Sequence, residues 1–371
     1  MQVSELSSIT SQLLIAGFVL SAIFGAIAQR THFCTMGAVS DVVNMGDWNR
    51  MRQWGLAAGV AMIGFGLLAY WGLLDPAKTL YGSNRWMWLS ALIGGLMFGF
   101  GMVLASGCGS KTLVRIGTGN LKSVIVMVVL GLAAFATLKG ITAVLRVGSV
   151  DRVAVDTATG VALPQILASA VDMKATVVGL WLGLALGGAL VVWALLGREF
   201  RSFDNLLGGV GIGAVIVLAW WLSGHFGHIE EHPETLQEAF LGTNSGRAEA
   251  LSFVAPIAYS LDWLMFFSDK SKVLTLGVVS VAGVIAGSAL VALFSGAFRW
   301  EGFGSTEDVA NHLTGATLMG VGGVTAMGCT VGQGLSGIST LSATSFVAVA
   351  AIITGAVAAI KYQVWRLEKL A

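Results

Sequence analysis

Nine stretches of roughly twenty mostly apolar residues run through the 371-residue chain, at about 9–29, 53–74, 86–106, 122–146, 174–197, 206–224, 273–298, 310–328 and 342–366. An α-helix of that length spans the hydrocarbon core of a bilayer. The expected fold is an all-α polytopic membrane protein with about nine transmembrane helices. Only 11% of the residues are charged, against about a quarter in soluble domains. A net charge of +1 excludes a basic nucleic-acid binder. Three cysteines in a chain of this size give no disulfide framework. The first apolar stretch resembles a leader's apolar region, but residues 1–12 contain no lysine or arginine. It therefore reads as the first membrane helix.

The chain repeats itself. Residues 94–108 are GGLMFGFGMVLASGC and residues 315–329 are GATLMGVGGVTAMGC. Aligned on Cys108 and Cys329, glycines coincide at Gly94 and Gly315, Gly99 and Gly320, Gly101 and Gly322, and Gly107 and Gly328. A fainter version precedes Cys34, with Gly25 nine residues before it. Cys108 follows the third stretch and Cys329 the eighth, so the two copies run in opposite directions. This predicts a single transport domain of two inverted halves, about 1–146 and 206–371, with a linker helix at about 174–197. Substrate paths in such proteins lie at the repeat interface near the midplane.

After each cysteine the chain stays small or apolar, as in GCGSKTLVRIGTGN (107–120) and GCTVGQGLSGIST (328–340). Such segments read as re-entrant turns, tolerated at membrane depth only where they are buried or line a cavity. Residues 253–267 are expected to fill, in the second half, the place that Cys34 holds in the first. The C-terminal tail carries Lys361, Arg366 and Lys369, and the N-terminal tail carries no basic residue. The positive-inside rule then places the C-terminus in the cytoplasm.

Three constellations can carry chemistry: Arg30 to Gly37 with Cys34, Gly107 to Arg115 with Cys108, and Gly328 to Gly334 with Cys329. Amides exposed in glycine-rich turns form anion-binding nests, and helix N-termini add partial positive charge. Arg30, Lys111 and Arg115 would draw an anion toward Cys34 and Cys108. Gly107, Gly109, Gly328, Thr330 and Gln333 would frame its path. Cys329 has no charged neighbour in sequence and is expected to sit deepest. Thiols are weak donors and soft partners for sulfur, so a row of three can pass a sulfur anion along by S–H contacts. Alternatively, an activated thiolate can accept sulfur covalently. A free cysteine in a membrane helix is most often only a small apolar residue, and basic residues at helix ends also serve topology. Three cysteines in glycine-framed turns, two within a matched repeat, favour a functional set.

Two further features have plain readings. His225, His228 and His232 fall at helical metal-ligand spacing, but Gly227 and Pro233 interrupt them, and a polar loop is expected. Gly117 and Gly119 lack the lysine and hydroxyl residue of a nucleotide loop. Neither a metal nor a cofactor is expected.

Together QRTHFCTMGAVSD (29–41), GGLMFGFGMVLASGCGSKTLVR (94–115) and GVGGVTAMGCTVGQGLSG (320–337) resemble the YeeE/YedE-type sulfur transport family. The resemblance spans most of the chain. It implies an hourglass-shaped protein of the bacterial inner membrane, with inverted repeats and central re-entrant helices. It implies uptake of thiosulfate past Cys34, Cys108 and Cys329, and a cytoplasmic TusA-like sulfurtransferase as partner. It would put the second cysteine near the outer mouth, whereas the positive-inside rule puts that turn on the cytoplasmic side. Lys111 and the 225–255 segment are not matched to the family pattern and leave another sulfur or selenium species open. A membrane sulfurtransferase forming cysteine persulfides, and a carrier of an unrelated solute, are the rival readings.

Overall fold

The sequence contains four prolines, and none sits in the middle of a long helix, where it would remove a hydrogen bond and clash with the preceding turn. Apolar runs without such breaks wind into long helices. The computed structural model describes residues 3–233 and 235–370. Its helices are α1 (Val3–Arg30), α2 (Thr35–Met45), α3 (Asn49–Tyr70), α4 (Trp88–Leu104), α5 (Gly109–Gly117), α6 (Leu121–Lys139), α7 (Ile141–Gly148) and α8 (Leu163–Val171). Then follow α9 (Ala175–Leu182), α10 (Gly188–Leu195), α11 (Phe203–Leu206), α12 (Ile212–Trp221), α13 (Val254–Met265), α14 (Leu276–Phe294), α15 (Thr306–Thr325) and α16 (Ala343–Leu370). Wide π-turns at Gly183–Gly187 and Leu207–Gly211 join α9 to α10 and α11 to α12. Two short antiparallel strand pairs, β1 (Arg85–Trp86) with β2 (Val155–Asp156) and the hairpin of β3 (His228–Ile229) with β4 (Ala239–Phe240), pin connecting segments.

Among the described residues, 8 helical stretches are long and apolar enough to cross a membrane. Helix α15, with 20 residues, is a further long helix, and Glu307, Asp308 and His312 near its start make it less apolar. The chain is a multi-pass membrane protein. The expected 122–146 span divides at Gly140, whose extended backbone ends α6 and starts α7. Ile141, Val144 and Leu145 of α7 are exposed, as suits a helix lying along an interface.

The centre is the crossing of α4 and α15. A Cβ on Gly322 would lie 2.6 Å from the carbonyl oxygen of Gly94, and one on Gly101 would lie 2.6 Å from that of Gly315. Gly94 matches Gly315 in the repeat and Gly101 matches Gly322. The contact therefore maps onto itself when the two copies are exchanged, and the helices run antiparallel. Only glycine permits this approach of backbone to backbone.

Ion pairs and backbone bonds mark two faces of the bundle. On the first face, Arg30 meets Asp204 at 3.1 Å, Lys122 meets Asp308 at 2.9 Å and Arg366 meets Glu307 at 3.0 Å. On the second, Leu80 bonds Ala248 at 2.9 Å, Leu163 bonds Leu341 at 3.0 Å and Leu276 bonds Gly242 at 2.7 Å. Helices α2, α5 and α13 and the π-turn Gly332–Gly337 are too short to cross; all lie next to the cysteine turns. Residues 253–267 do contain such an element, α13.

Candidate functional site

All three cysteines stand at the same kind of backbone break. The residue two before each has a left-handed conformation: His32 (φ 53°), Ser106 (φ 57°) and Met327 (φ 59°). The residue one before each donates its amide to the carbonyl five residues back, Phe33 to Ala28, Gly107 to Met102 and Gly328 to Gly323, at 2.8–3.2 Å. This is the Schellman way of ending a helix, built here on non-glycine residues at some steric cost. Each cysteine then starts a new helical segment. Cys34 is the N-cap of α2 and Cys108 the N-cap of α5.

At Cys34 and Cys329 the sulfur takes the place of a capping oxygen. Cys34 Sγ accepts from the Gly37 amide at 3.3 Å, and Cys329 Sγ accepts from the Gly332 amide at 3.4 Å. Cys108 Sγ lies 3.2 Å from Ser110 Oγ. Free amides and the helix dipole make each position favourable for negative charge. All are enclosed, with exposures of 8% for Cys34, 1% for Cys108 and 0% for Cys329.

On the first face, Lys111 and Arg115 lie one turn apart on α5. The stem of Lys111 packs on Gly107, and its ammonium is within electrostatic reach of Cys34, Cys108, Arg115 and Arg50. Among the described residues neither Lys111 nor Arg115 has a carboxylate within 4 Å. Arg30 is not in this group: it is exposed, pairs with Asp204 and lies over the Phe203 ring. A further cation of this region is Arg50 of α3, whose guanidinium lies against Gly37, the residue whose amide Cys34 Sγ accepts, and pairs with Asp41 at 3.2 Å. Sequence reading missed Arg50, because it lies sixteen residues beyond Cys34 and only the return of α3 brings it near.

The Cys329 element is held by polar contacts. The Tyr81 hydroxyl donates to the Gly332 carbonyl at 2.5 Å, Ser336 Oγ to the Leu251 carbonyl at 2.7 Å, and Gln333 Nε2 to the Ala326 carbonyl at 2.5 Å. Thr330 Oγ1 and Gln333 Oε1 are buried without a hydrogen-bond partner. Trp54 ties this element to α2: its Nε1 donates to Thr35 Oγ1 at 2.9 Å, and its ring lies on Gly334. A cavity of about 20 Å³ lined by Thr35, Trp54 and Thr330 separates the Cys34 and Cys329 helices. Gly109, beside Cys108, packs on Phe253, and Ser252 Oγ lies 4.0 Å from Cys329 Sγ. The start of α13 thus bridges the other two turns.

His228 pairs with Glu238 at 2.5 Å and His225 lies beside the Trp221 ring. Among the described residues no three metal-ligating side chains come together.

The chain is 26% identical over 337 residues to the thiosulfate transporter TsuA of Escherichia coli K12, covering 87% of each chain. It is 26% identical over 353 residues to the thiosulfate transporter TsuA of Spirochaeta thermophila, covering 91% of this chain and 96% of that one. A segment of 97 residues, 26% of this chain and 22% of the relative, is 31% identical to the probable transporter YedE of Escherichia coli K12. The family described as "Sulphur transport" matches residues 30–358, a range that contains all three cysteine turns. The chain belongs to the Sulphur transport family.

Proposed function

We propose that the chain carries thiosulfate, or a closely related small sulfur-containing anion, across the bacterial inner membrane along Cys34, Cys108 and Cys329. One observation carries this reading: three enclosed cysteines stand at the starts of three short helical segments at the centre of a membrane bundle. At Cys34 and Cys329 the sulfur already accepts from an amide, which leaves the S–H to donate toward a passing anion. Gly107, Gly109, Gly328, Thr330 and Gln333 frame the path, and the unpartnered oxygens of Thr330 and Gln333 are polar groups still able to bond along it. Lys111 and Arg115, with Arg50, concentrate anions at the first face. The Cys329 turn itself, residues 328–337, carries no basic residue, and its weaker thiol contact permits release.

The two halves, 1–146 and 206–371, act as inverted repeats about the α4–α15 crossing, with 174–197 as linker. Sulfur delivered to the cytoplasm would suit a TusA-like acceptor. The relatives named as thiosulfate transporters support the substrate, and no bond to the anion need form or break. Uptake of radiolabelled thiosulfate into proteoliposomes tests the reading, combined with mass spectrometry of the protein after exposure. Uptake without persulfide on any cysteine is expected. Persulfide that forms and turns over without uptake would make the chain a sulfurtransferase instead.

A further inference from the structure

A cavity of about 230 Å³ opens beside Cys329, with Gly328 and Met327 in its wall. Ser252, which also lines it, is the side chain 4.0 Å from Cys329 Sγ. The cavity lies toward the second face, where Leu276 bonds Gly242 and Leu80 bonds Ala248. This space adjoins the Cys329 turn on the side by which an anion arriving from the first face would leave.

Its wall carries a carboxylate. Glu249 lies in the connection between α12 and α13, outside the membrane-spanning helices. It is partly buried, and it lines the cavity. Its oxygens accept from Ser245 Oγ at 2.9 Å and the Asn244 amide at 3.3 Å, and the Ser245 amide also donates to it. Among the described residues no cation lies within 4 Å of it. Arg146 of α7 lines the same cavity but faces Asp151 at 3.4 Å. Arg247 on Glu249's own segment turns to the carbonyls of Thr79 and Gly82. Tyr259 of α13 and Tyr81 are further ionisable groups near it, and phenols hold their protons at neutral pH; the Cys329 thiol lies behind Ser252 of the wall. Helices α1, α12 and α14 present no ionisable side chain to the cavity.

We propose that Glu249 controls anion occupancy of this vestibule: its neutral carboxyl admits the sulfur anion beside Cys329, and its ionised carboxylate excludes it. The inference rests on the transport reading above and adds a residue to it. The two mouths then differ in kind. The first holds uncompensated cations, and the second an uncompensated carboxylate. An anion is drawn in at one and repelled at the other unless Glu249 takes a proton from the water of the vestibule. The proton returns to the same water once the anion has left, so no bond to the substrate is made. Burial pushes the Glu249 carboxyl up to about 7, so the switch falls at neutral pH.

The test is thiosulfate uptake into proteoliposomes in buffers matched inside and out, about one pH unit below and one above 7. A group titrating near 7 changes its protonated fraction about tenfold over that interval. Wild-type uptake is expected to fall about tenfold at the higher pH. Glu249→Gln is expected to keep the low-pH rate at both, and Glu249→Asp to retain a pH dependence. Wild-type uptake indifferent to pH, or a Gln variant with the wild-type profile, overturns the inference and leaves the transport reading intact. No thiosulfate uptake by the wild type at either pH removes both. Thermal unfolding gives a second readout. A raised carboxyl pKa means that stability is lost as pH rises from the ordinary glutamate range through about 7. The wild type should lose melting temperature over that interval relative to Glu249→Gln, and parallel curves would contradict the assignment.

Discussion

Ser106 and Met327 hold the same left-handed backbone, at φ 57° and φ 59°, each two residues before a cysteine and each in the matching place of its repeat. Neither is glycine, so each conformation costs on the order of 1–2 kcal/mol that the surrounding packing must offset. Val at position 327 would raise this cost, because a branched Cβ fits the left-handed region worse. Met327→Val is expected to lower stability by about 1–3 kcal/mol, read as a fall in melting temperature in detergent. Met327→Gly should fold normally, and a Gly variant as damaged as Val would show that the side chain matters rather than the backbone.

The α4–α15 crossing makes a symmetric demand. A methyl on Gly101 would meet the Gly315 carbonyl, and one on Gly322 would meet that of Gly94, at the same 2.6 Å. Gly101→Ala and Gly322→Ala are each expected to cost about 1–3 kcal/mol by forcing the helices apart. Gly246, which has nothing within 4 Å of an added Cβ but a φ of 67°, separates the two kinds of glycine. Its Ala variant should suffer only the smaller backbone cost. Equal melting temperatures for Gly101→Ala and wild type would contradict the packing account.

At the first face, Lys111 and Arg50 should act on anion capture and not on the fold. Lys111→Gln and Arg50→Gln are each expected to raise the KM for thiosulfate about tenfold, which corresponds to roughly 1.4 kcal/mol. Added salt should narrow the difference, since part of the attraction is screened. Arg30→Gln should change KM little, because its charge is taken up by Asp204 in an exposed pair. A larger effect at Arg30 than at Arg50 would reverse the assignment.

The second face offers a control. Glu238 accepts from Lys78 and His228, chiefly Lys78, and its carboxyl is held below the usual range. That stabilisation is present above the ordinary glutamate value and is lost as pH falls through the lowered one. The pair is about two-fifths exposed, so Lys78→Ala should cost less than about 1 kcal/mol and leave uptake unchanged. A collapse of uptake would give this hairpin a role in the path.

Much of this molecule is readable in the sequence because hydrocarbon imposes simple rules. Long apolar runs must be helices, and the glycines of 94–108 and 315–329 announce two matched close-packed helices. Cys34, Cys108 and Cys329 were visible from their glycine frames. Arg50 was not, because its approach to Gly37 and Asp41 depends on how α2 folds back onto α3, and no local spacing encodes that. Arg30 looked equivalent from sequence, yet Asp204, far along the chain, claims it. The left-handed residues His32, Ser106 and Met327 carry no local signal either, since glycine is the residue expected at such positions and none of them is one. Glu249 sits in an ordinary polar loop until the fold sets it in the wall of a cavity beside Cys329.

Radiolabelled thiosulfate uptake into proteoliposomes, comparing the wild type with Cys34→Ser, Cys108→Ser and Cys329→Ser, tests the central claim most directly. Each replacement should cut uptake by at least about tenfold while the protein keeps its melting temperature. Uptake unchanged in all three would contradict the thiol path, whatever anion the protein carries.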